Sequence, residues 1–415
     1  MKRRDFLKNS LLTLLGTQAT VGAGLFSSQA VAATQSKKTL VVIFQRGGCD
    51  GLNTCVPYGD DLYYSLRPTI AVPPPDGLDP TSAVDLNGFF GLHPGLASLK
   101  QIYDAGDMAV FPAVHYPQGE HSHFDSQYFV ESAISKKGFD GWMNRYLTNT
   151  VSANNFRAVA LDNSLPQILK GETPVSAFAD LEEMKLNLNA DYKSEVMLQL
   201  EASYFQMSRN HYYSKTLQGL GQRLITDLGL LQDASTSGYV AANGALYPNT
   251  EYGKQLKQVS QLIKLDLGVE VIAVSSNGWD THINQGGGES GGRQYNLHQE
   301  FSDGIAALYQ DLGDKMNDVV ILTCTEFGRT VKENGGKGTD HGNGSSWFMF
   351  GKSINGGIHG DWPGLNADQL LHGRYLNFSV DYRNIIGDIL LSHLSVPDIS
   401  PILLEHSYTP LGLFV

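Results

Sequence analysis

Six residues of this sequence have the side chains a divalent metal ion needs, and each lies in or just after a glycine-containing turn: Asp50, Asp280, His282, Glu326, Asp340 and His341. Carboxylates and imidazoles are the ligands of hard and borderline metals, and further carboxylates orient the imidazoles from behind. Asp280 and His282, two residues apart, converge only in a turn or on one face of a strand. His121 and His123 in Gly119-Glu120-His121-Ser122-His123-Phe124 add two more imidazoles, each a ligand, a hydrogen-bond donor or a structural residue on this evidence. Ser122 beside them is placed either to act as a nucleophile or to cap a helix, with Ser126 as the second choice. Arg329 follows Glu326 by three residues and is either its ion-pair partner or, with Ser122 and His123, a candidate catalytic group.

These turns need a scaffold that brings them together. Residues 39–46, 107–114, 269–275 and 318–325 are short apolar runs rich in β-branched residues, the pattern of strands covered on both faces. The turns at Asp50, His121–His123, Asp280–His282 and Glu326 follow them, and strands of an open parallel sheet present ligands just past their carboxyl ends. Residues 156–161 form a weaker strand and 346–350 another. Helical patterns lie at about 95–105, 126–135, 251–266, 295–316 and 383–394. Strands alternating with helices predict an α/β fold with a mostly parallel sheet covered on both faces. Residues 58–90, with Pro73-Pro74-Pro75, predict an extended loop. A helical excursion spans about 179–266. His93, His298, His359 and His372 are treated as structural or peripheral.

With 415 residues the chain is long enough for one large domain. Arg3-Arg4-Asp5-Phe6-Leu7-Lys8, a weakly apolar stretch from Leu11 to about Leu25 and the small residues Ala30-Val31-Ala32 read as a twin-arginine export signal over residues 1–32. That predicts passage through the twin-arginine translocase, cleavage by signal peptidase and a periplasmic or extracellular location, with the domain over 39–415. No long apolar run follows residue 35, so no membrane span is expected in the mature protein.

Removing residues 1–32 takes away four basic residues and one acid, moving the formal charge from −12 to −15. So acidic a chain is a poor nucleic-acid binder. An anionic substrate needs a local positive centre. The three cysteines, Cys49, Cys55 and Cys324, make no zinc-thiolate spacing. Cys49 and Cys55 either pair across a short loop or are small buried thiols.

Taken together, Arg46-Gly47-Gly48-Cys49-Asp50-Gly51-Leu52-Asn53, His121-Ser122-His123-Phe124-Asp125-Ser126-Gln127, Gly278-Trp279-Asp280-Thr281-His282, Thr325-Glu326-Phe327-Gly328-Arg329-Thr330 and Thr339-Asp340-His341-Gly342 resemble the bacterial family called domain of unknown function 1501, from about residue 39 to the C-terminus. That family is similar to the alkaline phosphatase and sulfatase superfamily. The resemblance implies a three-layer α/β/α sandwich and a site in which Asp50, Asp280, His282 and His341 bind metal (zinc, calcium or magnesium) and Ser122 attacks phosphorus or sulfur. The superfamily carries Asp-His where this chain has Glu326-Phe327, so a second metal would need Asp340 or His123 in place of Phe327. The expected function is hydrolysis of phosphate or sulfate esters. Its rival is a non-catalytic periplasmic binding or envelope-assembly protein on a reduced site.

Overall fold

The computed structural model describes residues 38–119, 121–152, 156–181 and 238–415, with residues 198, 199 and 202. The chain divides into two units, Met1–Thr34 and Gln35–Val415. All described residues belong to the second. Most of the helical excursion expected at 179–266 lies outside the described residues, and its last part is the helix Glu251–Lys264.

In chain order the strands are β1 (Thr39–Arg46), β2 (Cys55–Val56), β3 (Val84–Asp85), β4 (Gly91–Leu92), β5 (Met108–His115), β6 (Ala158–Leu161), β7 (Ser176–Ala177), β8 (Val271–Asn277), β9 (Val319–Cys324), β10 (Ser345–Phe350), β11 (Gly357–Ile358) and β12 (Val380–Asp381). Nine of them form one sheet in the order β11-β5-β10-β9-β1-β8-β6-β7, with β12 also on β5. Every pairing is parallel except those of β10, which runs antiparallel to both β5 and β9. The fold is thus α/β with a central, mostly parallel sheet. β2, β4 and β3 make a small second sheet. Together with the helix Asp61–Leu66, it puts regular structure where composition predicts only a loop.

β1 shows why the sheet is central. Leu40, Val42 and Phe44 enter one core with Trp142, Tyr146, Ile385 and Ile389 from the helices Trp142–Asn149 and Tyr382–Asp388 and the turn that follows them. Val41 and Ile43 enter another with Leu256, Phe301, Ile305 and Leu308 from Glu251–Lys264 and Arg293–Leu312. Period-2 alternation of β-branched side chains fills both. The i, i+4 and i, i+3 spacing of Phe301, Ile305 and Leu308 lays one helix face on the sheet. Each such side chain, fully buried, contributes roughly 1.5–3 kcal/mol. The helix Arg293–Leu312 stops at Gly313, whose φ of +54° is left-handed.

All three cysteines are free and buried, so Cys49 and Cys55 are separate thiols. No helix among the described residues is long and apolar enough to cross a membrane.

Two buried histidines outside the strand-end turns tie stability to pH. Burial pushes His93 and His393 down to about 4 from 6.5. The unfolded chain takes up these protons near 6.5 and the native chain only near 4, so stability is undiminished above 6.5 and falls as the pH drops through that window. The urea midpoint is expected to decline from pH 6.5 towards pH 4. A midpoint flat across that range would show that these rings are not held neutral.

Candidate metal centre

Three neighbouring strands, β9, β1 and β8, end side by side and carry the turns of interest. Gly47, at φ +126°, lets the turn after β1 lie against the turn after β8: a Cβ there would come within 2.4 Å of the Asp280 backbone nitrogen. Trp279 N–H donates to the Arg46 carbonyl across the same gap (3.2 Å). On the other side, Gly47 N–H donates to Glu326 Oε1 (2.9 Å) and Cys49 N–H to Thr325 Oγ1 (3.0 Å). His341 is brought in by a short antiparallel pairing with Arg329, in which Gly342 N–H donates to the Gly328 carbonyl.

The fourth contributor is the helix His123–Ser132. It begins three residues earlier than the sequence pattern indicates, with Ser122 as its N-cap and no side-chain cap bond. Gln127, one turn after His123 and on the same face, donates to Glu326 Oε1 (2.9 Å), and its own oxygen accepts from Arg46 Nη1 (3.1 Å). Arg46 also pairs with Glu131 at 3.0 Å. These bonds tie the helix start to the end of β1.

The result is a cluster. One ligand atom each of His123, Asp280 and His341 lie within 4.8 Å of one another. His282 Nε2 adjoins it, 2.9 Å from Asp280 Oδ1 and 3.0 Å from His341 Nε2. His341 Nε2 is 3.4 Å from Asp280 Oδ1, and His123 Nε2 is 3.5 Å from Asp280 Oδ2.

Each ring turns its other nitrogen to an acceptor. His123 Nδ1 meets Glu326 Oε1 at 2.8 Å, His341 Nδ1 meets the His121 carbonyl at 2.8 Å, and His282 Nδ1 faces Asp340 Oδ1 at 3.4 Å. A nitrogen facing a carboxylate or a carbonyl at hydrogen-bond distance carries the proton, so in neutral His123 and His341 the Nε2 lone pair points to the centre, while His282 has a carboxylate at each nitrogen, Asp280 at 2.9 Å from Nε2 and Asp340 at 3.4 Å from Nδ1. His282 Nε2 and His341 Nε2 lie 3.0 Å apart beside Asp280, and the buried Nε2 of His123 has no hydrogen-bond partner. Three imidazole nitrogens converging with a carboxylate, each ring held from behind, suit a divalent cation.

Electrostatics follow from this packing. The Glu326 hydrogen bond raises His123 above its usual value, while burial lowers His341. Burial opposes ionisation of Asp280, yet Arg329, with Nη2 on Asp280 Oδ1 at 2.6 Å, and the nearby histidines hold it below the ordinary carboxylate value. Glu326 is wholly buried, and its bonds from His123, Gln127 and Gly47 outweigh desolvation to keep it ionised. Asp340 is lowered chiefly by Asn334.

The residues singled out by sequence fall into distinct places. His123, Asp280, His282 and His341 form the cluster. Glu326 and Asp340 stand behind two of its rings, each facing an Nδ1. Arg329 is buried beneath it on Asp280. Ser122 is exposed at the helix start next to His123. Phe327, buried, packs its ring 4.9 Å from both His123 and His341 and forms the wall they lean on.

Asp50 is not brought to the cluster. Its carboxylate is held by Arg67 through Nη1 (2.6 Å) and Nη2 (2.9 Å) and by Gln285 Nε2 (2.5 Å), in a buried network with Asn53 and Gln294. Ser126 is buried, and His359 is half-buried with Nε2 on the Asn355 carbonyl. The sequence reading missed Arg67, Gln127 and Gln285. Gln127 had a signal, since it lies four residues after His123 and falls at the start of the helix expected from about residue 126. Arg67 and Gln285 had none.

A family model described as Protein of unknown function (DUF1501) matches residues 112–390, well over half of the chain, so the chain belongs to that family. No curated protein matches it. Among solved structures it is similar to the C-terminal periplasmic domain of EcEptC from Escherichia coli in complex with Zn, at 10% identity and a TM-score of 0.35 over 77% of this chain and 74% of that one. It is also similar to the lipoteichoic acid synthase LtaP from Listeria monocytogenes, at 9% identity and a TM-score of 0.33 over 81% of this chain and 71% of that one. Both are distant likenesses.

Proposed function

We propose that this member of the DUF1501 family is an exported, metal-dependent hydrolase of phosphate or sulfate esters, built as a three-layer α/β/α domain of the alkaline phosphatase kind. Residues 1–32 are its twin-arginine signal, removed on export to leave the domain over 39–415, and His123, Asp280, His282 and His341 hold a divalent ion. One observation carries this reading: Nε2 atoms of His282 and His341 meet at 3.0 Å beside Asp280, and the buried Nε2 of His123 lacks a partner. Of zinc, calcium and magnesium, a donor set this rich in imidazole favours zinc.

A divalent ion held there supplies Lewis-acid stabilisation of charge on the transferred group. The chain's own residues do the rest. Glu326 and the His121 carbonyl hold Nδ1 of His123 and His341, and Asp340 stands behind the His282 ring. Arg329 holds Asp280 and adds positive potential beneath the site. Ser122 is the nucleophile. It sits at the amino end of a helix, where the dipole and free backbone N–H groups favour the anionic group it attacks.

The rival reading, a binding or assembly protein without catalysis, has one observation in its favour: no general base is hydrogen-bonded to Ser122 among the described residues. Ser122→Ala separates the two. It is expected to lower turnover of aryl phosphate or aryl sulfate by at least about 10³-fold, as loss of a nucleophile does, with metal content and thermal midpoint unchanged. Unaltered turnover would remove Ser122 from the chemistry. A metal-loaded wild type inert on both esters would favour the binding protein.

A further inference from the structure

A cavity of about 600 Å³ opens directly behind His282. Its wall includes Asp340 and Asn334, and both touch that histidine: Asp340 Oδ1 faces His282 Nδ1 at 3.4 Å, and Asn334 Nδ2 donates to the His282 carbonyl (2.9 Å) and to Asp340 Oδ1 (3.1 Å). A molecule in the cavity is therefore one side chain away from the cluster. The volume is that of a small-molecule site.

The lining divides by chemistry. Leu66, Val331 and Leu370 give an apolar wall, and Lys332 and Arg374 bring two cations to it. Glu333 is spent elsewhere, accepting from Thr69 N and Oγ1 and from Ile70 N. Arg374 meets Asp340 Oδ2 through Nη2 alone, at 3.3 Å, although its guanidinium carries five donors. Lys332 has no carboxylate partner among the described residues. Glu333 and Asp340 balance these two cations, so the lining is formally neutral on a chain with a formal charge of −12, and of its charged groups Lys332 is the one without a partner of opposite sign or a hydrogen bond among the described residues.

We propose that this cavity receives the alcohol portion of the ester, and that this portion is partly apolar and carries an anionic group of its own, paired by Arg374 with Lys332 beside it. The substrate is then a phosphate or sulfate ester of an acidic alcohol, such as a hydroxy acid. The proposal rests on the hydrolase reading above, and its test keeps the two apart.

Full-length, metal-loaded protein is titrated by calorimetry with 4-hydroxybenzoate and with benzyl alcohol, in wild type, Arg374→Ala and Leu370→Trp. The acid is expected to bind wild type, to weaken about tenfold in Arg374→Ala through loss of a charge-assisted bond, and to be lost in Leu370→Trp, which fills the cavity. Benzyl alcohol is expected to bind more weakly than the acid and to be indifferent to Arg374. In turnover, the ratio of KM for 4-carboxyphenyl phosphate to KM for phenyl phosphate is expected to rise about tenfold in Arg374→Ala. Binding that is absent, or identical in all three proteins, would overturn the proposal. Arg374-dependent binding without turnover of either ester in wild type would support the acid-binding cavity and sink the hydrolase reading instead.

Discussion

His341→Ala is expected to leave the protein folded and nearly free of metal, whereas wild type purified without chelators carries close to one ion per chain. The ring is a quarter exposed, and its backbone pairing with Arg329 does not depend on the side chain, so its loss costs the core little. It does remove an Nε2 that lies 3.0 Å from His282 Nε2 and 3.4 Å from Asp280 Oδ1. Loss of an outer partner of a ligand typically lowers metal affinity 10–100-fold, and loss of a ligand is expected to exceed about 100-fold. Because metal binds only the native state, the thermal midpoint should fall to that of chelated wild type and no further. Mass-spectrometric metal content and a melting curve on the same sample decide the matter. A stably folded wild type without metal would sink the site and the hydrolase with it. A His341→Ala protein that kept its metal would place the ion elsewhere.

The frame of the molecule was written openly in the sequence, and the division of labour in the site was not. β1, β8 and β9 are apolar, β-branched runs ending in glycine or acidic turns, and period and punctuation suffice to place such strands and to expect their carboxyl ends together. The convergence of His123, Asp280, His282 and His341 follows from that arrangement. What an acid in such a turn does is set by partners far away in the chain. Asp50 and Glu326 are both carboxylates just past parallel strands, yet Arg67, from a proline-rich stretch, takes the first and His123 Nδ1 meets the second. Only a folded chain shows which nitrogen of each imidazole faces inward. The helix start was ambiguous for a similar reason: Ser122 and Ser126 are equally good capping residues, and Asp125 in the first turn fits the earlier start through its interaction with the helix dipole.

Asp50→Ala is expected to act on the fold, and thereby to be the opposite of His341→Ala. Asp50 and Arg67 are both buried, joined by two bonds of 2.6 and 2.9 Å. Without the carboxylate, Arg67 keeps Asn53 Oδ1 and the carbonyls of Thr330 and Val331, but its charge has no counter-ion, and Gln285 Nε2 loses an acceptor. Removing one member of a buried ion pair costs roughly 3–5 kcal/mol, against a total stability of about 5–15 kcal/mol for a typical domain. The urea midpoint should drop steeply and soluble yield with it. Replacing both charges, as in Asp50→Leu with Arg67→Met, should recover part of the loss, because no charge is left stranded although the Thr330 and Val331 carbonyls lose their donor. The fraction of Asp50→Ala that folds should retain its ion, since Asp50 does not join the cluster. A variant of normal stability that had lost its metal would make Asp50 a ligand and Arg67 a bystander.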